Sequence, residues 1–495
     1  MEKDIGIFEK NEEESEKIYN EKEIDENKMN EKEIEKDEKE LVDNKNINDL
    51  TKDERIHFRN GVLSIIGASI LNFVYPSCFA FCTLVVYQTS YVYCHGGNVR
   101  IVHTIFYYPV LLFFQSIFGL IAGIIYSKIE VHWSNFLGTV LLVLGGFIMY
   151  LSATFVLDMV SMAIFGIAIA IIMFPATTNA CKYFMKRIGL VNGIVETFIS
   201  LGSSVFAFIG EWVINPNNDE SEENSFYKIE IAEKVKTFLL IQIFCFIGSF
   251  LLGLLFIKKY NEDKETENKE EILLDKPIDI INGETKIRNA NKRKIKIIKA
   301  LKSWTFWRYN LISLSQSPVS DMIFAMYRGI GEDKNVNEKV LQLIGTLTFI
   351  IEFILSFVFG VLCDYVDFRI LLFTMNIIGT VVGFIYCLTF HNNFFFALST
   401  LLIAVQSAAY YSLKDYHLMK VFGTEIYVDL SGFICLSTGI VVLALSFVTY
   451  WIEEECGDKD LAYWIIFPIF GAINGGGVIL GFFEKDDPFD YGEDE

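Results

Sequence analysis

Residues 159–180 read MVSMAIFGIAIAIIMFPATTNA, a run without a single Asp, Glu, Lys or Arg. A bilayer core of ~30 Å needs ~20 apolar residues in helical form, so this stretch is long enough to cross one. Working outward, similar runs precede it at 61–87, 101–126 and 136–155, and follow it at 189–214 and 236–257. Beyond a polar interval come 305–330, 340–362, 370–390, 394–416, 427–450 and 461–483. Six spans, a charged linker and six more spans predict an all-α polytopic membrane protein with twelve transmembrane helices. The composition agrees: the 495 residues are 52% hydrophobic and include 45 Phe and 23 Tyr, a level that soluble chains of this size rarely reach.

The formal net charge of -20 sits in the ends and loops. A Glu/Lys/Asn-rich head, 1–59, holds Glu12-Glu13-Glu14 and almost no aromatics, so it is expected to stay disordered. Its basic residues lie on no foldable scaffold, which argues against nucleic acid as a partner. No secretory leader precedes the first apolar run, so that run is expected to be retained as a helix. Lys258-Lys259 and the cluster Lys292, Arg293, Lys294, Lys296 and Lys299 bracket the linker 258–303. Because Lys and Arg flank the cytoplasmic side, head, linker and acidic tail 485–495 are placed inside. The bundles are then 60–257 and 304–484. Lys186-Arg187 agrees with that topology. The loop 215–235 dissents through Lys228 and Lys234, although its acidic stretch 219–223 reads as a hydrated outer loop.

The nine cysteines show no CxxC or Cys/His spacing, so no metal site is expected; Cys94 and Cys456 fall in outer loops where a disulfide is conceivable. The six histidines are dispersed and no GxxxxGK[ST] loop occurs. Neither an enzyme, nor an ATP-driven pump, nor a cofactor is therefore expected.

The two halves carry matching landmarks. Gly123 and Lys128 stand after the second span, and GVLCDYVDFR, residues 360–369, stands after the eighth. Aligning Gly123 with Gly360 gives an offset of about 237, and Asn192-Gly193 with Ser431-Gly432 about 239. The segment 360–369 resembles the cytoplasmic loop motif of the major facilitator superfamily, G-x-L-a-D-r-x-G-r-[KR], at Gly360, Leu362, Asp364 and Arg369; Tyr365 and Asp367 depart from it, and Ser127 replaces the acid in the first half. The resemblance implies two six-helix pseudo-repeats and a charge latch, for which Asp364 and Arg369 are the candidates. KRIGLVNG, residues 186–193, Ile214-Asn215-Pro216 and Phe422-Gly423-Thr424 are similar to segments of monocarboxylate porters and oxalate:formate antiporters. The Lys/Asn/Ile-rich polar segments resemble those of malaria-parasite proteins. This implies a secondary transporter for a small organic monocarboxylate, of the pantothenate or lactate/pyruvate type, coupled to protons and working as a monomer. An amino-acid carrier of the same superfamily and a transporter-like protein of vesicles are the alternatives. The plasma membrane is the expected site, an intracellular vesicle the other.

An ionisable residue near the bilayer centre costs ~2.5–3.5 kcal/mol on insertion scales, so it usually faces a cavity. Glu352, about 12 residues into span 8, is ~18 Å deep at ~1.5 Å per residue and is the proton-coupling candidate, with Glu196 the second. Arg328 and Asp321 lie two turns apart on span 7; Arg328 is either a bidentate clamp for a carboxylate, restrained by Asp321, or an interface marker. Asn72, Tyr75, Gln115, Asn310, Gln316 and Gln406 are further binding candidates, as is Asn179 among the polar residues, although such groups join helices as often as they bind ligands. Lys414 and Asp415 read as topology charges. Pro76, Pro175 and Pro318 are expected to break or kink their helices, and Gly475-Gly476-Gly477 suits close packing.

Overall fold

A computed structural model describes residues 52–128, 130–184, 188–222, 226–260, 293–423, 426–483 and 488–491. Two compact units are distinguished, Met1–Asn60 and Gly61–Glu495. Of the first, the described residues 52–60 are helical, so the expected disordered head gives way to helix eight residues early; the rest of the head lies outside the described residues. The membrane-spanning bundle belongs to the second unit.

The helices are α1 (Lys52–Val74), α2 (Ser77–Cys94), α3 (Tyr107–Lys128), α4 (Val131–Leu151), α5 (Phe155–Lys182), α6 (Ile188–Ile214), α7 (Val235–Phe256), α8 (Trp304–Asp333), α9 (Glu338–Tyr365), α10 (Phe368–Ile385), α11 (Asn393–Phe422), α12 (Tyr427–Cys456) and α13 (Lys459–Gly481). The first span is α1 and α2 together, interrupted at Tyr75-Pro76, where proline has no N–H to continue the ladder. Pro175 and Pro318, by contrast, sit inside unbroken helices. The spans run several residues past their sequence estimates, because amphipathic ends extend each helix beyond its apolar centre.

Eleven segments among the described residues are long and apolar enough to cross a membrane. The seventh span, α8, is not among them, yet 21 of its 30 residues are buried. Its polar residues, Asp321 and Arg328 included, face protein rather than lipid. The outward faces elsewhere are apolar: Leu151 is 74% exposed on α4 and Phe244 71% on α7, as a lipid-facing surface requires.

Packing repeats with a six-span offset. In the first half α3 packs on α5, α4 on α7 and α2 on α6; in the second α9 packs on α11, α10 on α13 and α8 on α12. The seams between halves exchange equivalents, α3 against α12 and α6 against α9. This is the two-fold pseudo-repeat that the paired landmarks predicted. The first half is built on one buried cluster, around Phe81, Phe165 and Phe246, and the second on two, one around Phe396 and Phe467 and one around Phe306. At α12, Gly439 allows α3 to approach: a Cβ there would lie 2.6 Å from Ser116 Oγ. Gly477 does the same on α13 against Ser315 and Asn376, whereas Gly476 meets nothing.

The end of the bundle from which the 258–303 segment leaves is the linker end. Here Asn179 fastens the chain after α7, donating to Lys258 O (2.9 Å) and accepting from Tyr260 N (3.1 Å). Asp367, where the loop motif expects glycine, caps α10 by accepting from Arg369 N (2.9 Å). Arg369 is exposed; the side chains of Gly123, Lys128 and Asp364 lie outside the described residues, as do Lys186-Arg187. Gly360 borders open space. Cys94 and Cys456 are free thiols, so the conceivable disulfide is not present.

Candidate functional site

A cavity of about 240 Å³ lies between the halves. Its walls come from α2, α3, α5 and α6 on one side and α8, α9, α11 and α12 on the other; α4, α7, α10 and α13 contribute nothing. Among the described residues, four Asp, Glu or Lys side chains line it: Glu196, Asp321, Glu352 and Lys414.

Both carboxyls singled out for proton binding thus reach the cavity. Glu352 is hydrogen-bonded to Ser407 and sits within electrostatic reach of Asp321. Asp321 accepts from Ser317 Oγ (3.0 Å) on its own helix and from Tyr108 Oη (3.3 Å) across the seam. Tyr411 lies among Asp321, Glu352 and Lys414, with the Lys414 ammonium 5.7 Å from its ring centre. Gln115 lines the wall, and its buried Oε1 has no hydrogen-bond partner within the protein; nor does the Thr348 hydroxyl, elsewhere on the wall. Buried polar atoms normally find partners, so these two offer hydrogen-bonding capacity to a polar occupant.

Lys414 corrects the sequence reading. Its span continues eight residues further to Phe422, which sets the side chain inside the bundle at 7% exposure rather than at its end. Asp415, its neighbour, has a side chain outside the described residues.

Arg328 also differs from expectation. It does not line the cavity and does not pair with Asp321. It is the largest fully buried side chain among the described residues and anchors a polar cluster at the far end, opposite the linker end. Its Nη1 donates to Glu211 Oε1 (2.6 Å) and its Nη2 to Glu338 Oε1 (2.6 Å), while Nε lies 3.6 Å from Glu332 Oε1. Tyr87 and Tyr227 complete the cluster, their rings 4.6 Å apart. Because Tyr87, Glu211 and Tyr227 belong to the first half and Arg328, Glu332 and Glu338 to α8 and α9 of the second, the cluster ties one half to the other. The far end is therefore shut, while the cavity lining runs on to Ser356, Lys414 and Tyr427 toward the linker end.

The remaining candidates hold helices together. Asn72 accepts from Tyr75 Oη and donates to Thr177 (3.5 Å). Asn310 accepts from Ser437 Oγ (2.7 Å), and Gln406 donates to Asn474 Oδ1 (2.7 Å). Gln316 is buried and off the cavity wall. Sequence reasoning missed Tyr108, Tyr411, Glu211, Glu332 and Glu338. Glu211 carried a usable signal, a second carboxylate in the predicted span that holds Glu196; Glu332 and Glu338 read as loop charges.

No family model matches the chain. No curated protein sequence matches it either. Among solved structures, the crystal structure of a D-xylose-proton symporter superposes with a TM-score of 0.64 over 86% of this chain and 98% of that one, at 12% identity. At that identity the likeness concerns architecture. Together with the pseudo-repeat and the eight-helix cavity, it establishes that this chain is a polytopic membrane protein with the twelve-helix major facilitator fold.

Proposed function

We propose that the chain is a proton-coupled secondary transporter for a small organic monocarboxylate, working as a monomer by alternating access. The observation that carries this reading is the cavity between the halves, where Lys414 is the one Lys or Arg among the described residues and shares the wall with Glu352 and Asp321. In this reading Lys414 pairs with the carboxylate of the solute, the role first sought in Arg328. Glu352, and behind it Asp321, takes a proton, because a buried carboxyl is more readily kept neutral than charged. Tyr411, Tyr108 and Gln115 supply hydrogen bonds to the rest of the solute. The cavity is of metabolite size, and the shut far end makes the linker end its route of exchange in this state. The plasma membrane is the expected location. Asp364 and Arg369 are proposed to latch the linker end when the bundle rocks.

A second reading rests on the surplus of acid: three carboxyls face one ammonium. An amino acid would place its carboxylate on Lys414 and its ammonium on Asp321. Uptake of radiolabelled pantothenate, lactate and a panel of amino acids, at acidic and neutral pH, separates the two. Saturable, acid-stimulated uptake of a monocarboxylate that loses its pH dependence in Glu352→Gln is the expected result. Amino-acid uptake alone would transfer the proposal to the second reading, and pH dependence surviving in Glu352→Gln would remove Glu352 from coupling.

A further inference from the structure

The far-end cluster sets one guanidinium against three carboxyls, Glu211, Glu332 and Glu338, each no more than 7% exposed. Fully ionised, it would carry two uncompensated negative charges away from water. A charge so placed is strongly disfavoured unless it is paired or neutralised.

The hydrogens available to the cluster locate the neutralisation. Tyr87 Oη lies 2.8 Å from Glu211 Oε2 and 3.0 Å from Glu338 Oε1, but both of those carboxyls also accept from Arg328 at 2.6 Å, so one phenol hydrogen shared between them suffices there. Tyr227 Oη lies 2.5 Å from Glu332 Oε1 and 2.8 Å from Glu338 Oε2. Both separations are hydrogen-bond lengths, and each needs a proton between its oxygens. A phenol has one hydrogen to donate. The second must therefore come from a carboxyl, with the tyrosine oxygen as acceptor. Glu338 already accepts from Arg328 Nη2 (2.6 Å) and Gln342 Nε2 (3.2 Å), so it is engaged as an acceptor. Glu332 has only the 3.6 Å approach of Arg328 Nε, an atom that makes no hydrogen bond. Its other oxygen accepts from Ser221 Oγ (2.6 Å).

We infer that the closed far end holds a proton on Glu332, which donates to Tyr227 Oη while Tyr227 donates to Glu338, so that separating the halves at this end releases that proton to the water there. The charged and titratable groups facing Glu332 are Arg328 from α8, Tyr87 from α2, Glu211 from α6, Tyr227 from the segment before α7, and Glu338 from α9. Opening admits water, Glu332 ionises, and reclosing requires a proton to return. This proton is distinct from the one assigned to the cavity. The inference rests on the transport reading only in requiring that the far end opens.

The test uses the full chain carrying Thr83→Cys, a cavity-lining position of α2 at the seam with α9, in sealed vesicles of one orientation, so that a membrane-impermeant maleimide meets the far end alone and not the linker end. Native Cys94 is exposed at the far end, so labelling at position 83 relative to Cys94, read by peptide mass spectrometry, corrects for thiol chemistry and for the amount of protein. A one-proton linkage changes the open population by up to ~10-fold per pH unit. The expected ratio rises at least ~5-fold between pH 5.5 and 7.5. It stays low and flat in Glu332→Gln, keeps its rise in Glu332→Asp, and begins its rise at lower pH in Tyr227→Phe, which has no oxygen to accept the proton. Glu352→Gln retains the response. A ratio that does not change with pH, or a rise that persists unchanged in both Glu332→Gln and Tyr227→Phe, overturns the inference and leaves the transport reading standing. Absence of labelling at position 83 at every pH overturns both.

Discussion

At the scale of single residues, depth along a helix decides which charges have work to do. Glu352 was legible because it stands alone in an apolar run, and the cavity is where such a residue must go. Lys414 was not, since a Lys followed by Asp415 near a span's end has the signature of an interfacial anchor; only the longer helix places it inside. In the proposed role, Lys414→Met should raise the KM for the carried carboxylate at least ~10-fold, the loss of about 1.4 kcal/mol or more from a charge-assisted contact. Concentration-dependent uptake measures it, and an unchanged KM would assign Lys414 to packing. Arg328 was found in the sequence but given the wrong partners. Glu211 lies 117 positions before it and Tyr87 241 before it, and no local pattern announces pairings at that distance. Removing the guanidinium leaves buried carboxyls uncompensated, so Arg328→Leu should destabilise the protein by ~3–5 kcal/mol. Adding Glu338→Gln should recover part of that loss, because the two positions share one interaction. Thermal unfolding of the four proteins of this cycle in detergent gives the answer; additive losses would mean that the pair is not coupled.

At the scale of elements, hydropathy delivered the existence of the spans and little of their ends. Ends are set by capping, as where Asn337 accepts from Lys339 N (3.0 Å) and Asp458 from Asp460 N (2.9 Å), and a single polar side chain moves a boundary by several residues. The break at Tyr75-Pro76 and the unbroken passage through Pro175 and Pro318 show that proline alone does not dictate a helix's course; neighbouring helices do. One of the two seams between halves runs along α3 and α12. Gly439→Val would press a branched side chain against Ser116 and the Leu112 carbonyl, 3.3 Å from its Cβ. Overpacking of this kind costs ~1–3 kcal/mol, and here it falls on the surface along which the halves meet. The maximal uptake rate should drop several-fold with little change in KM; a pure KM effect would show instead that the seam shapes the cavity.

At the scale of the whole molecule, the pseudo-repeat is what makes motion of one half against the other a concrete expectation. A Cβ on Gly345 of α9 would lie 3.6 Å from Thr83 Cβ of α2, inside the range that a disulfide spans. The double variant Thr83→Cys/Gly345→Cys should cross-link the halves on oxidation, with the Tyr327 hydroxyl shifting aside. Uptake should stop with the oxidant and return with a reductant; full activity in the cross-linked protein would refute alternating access at this end. The polarity of α8 also bears on biosynthesis. This helix is too polar to leave a translocation channel for lipid by its own affinity, since each charge near its middle opposes insertion by ~2.5–3.5 kcal/mol. It follows the long polar stretch between the halves, so it emerges with no hydrophobic neighbour directly before it. The helix that supplies the cavity's Asp321 and the far-end arginine packs on α11, α12 and α13 rather than on α9, so it must wait at the channel's edge until those later spans arrive.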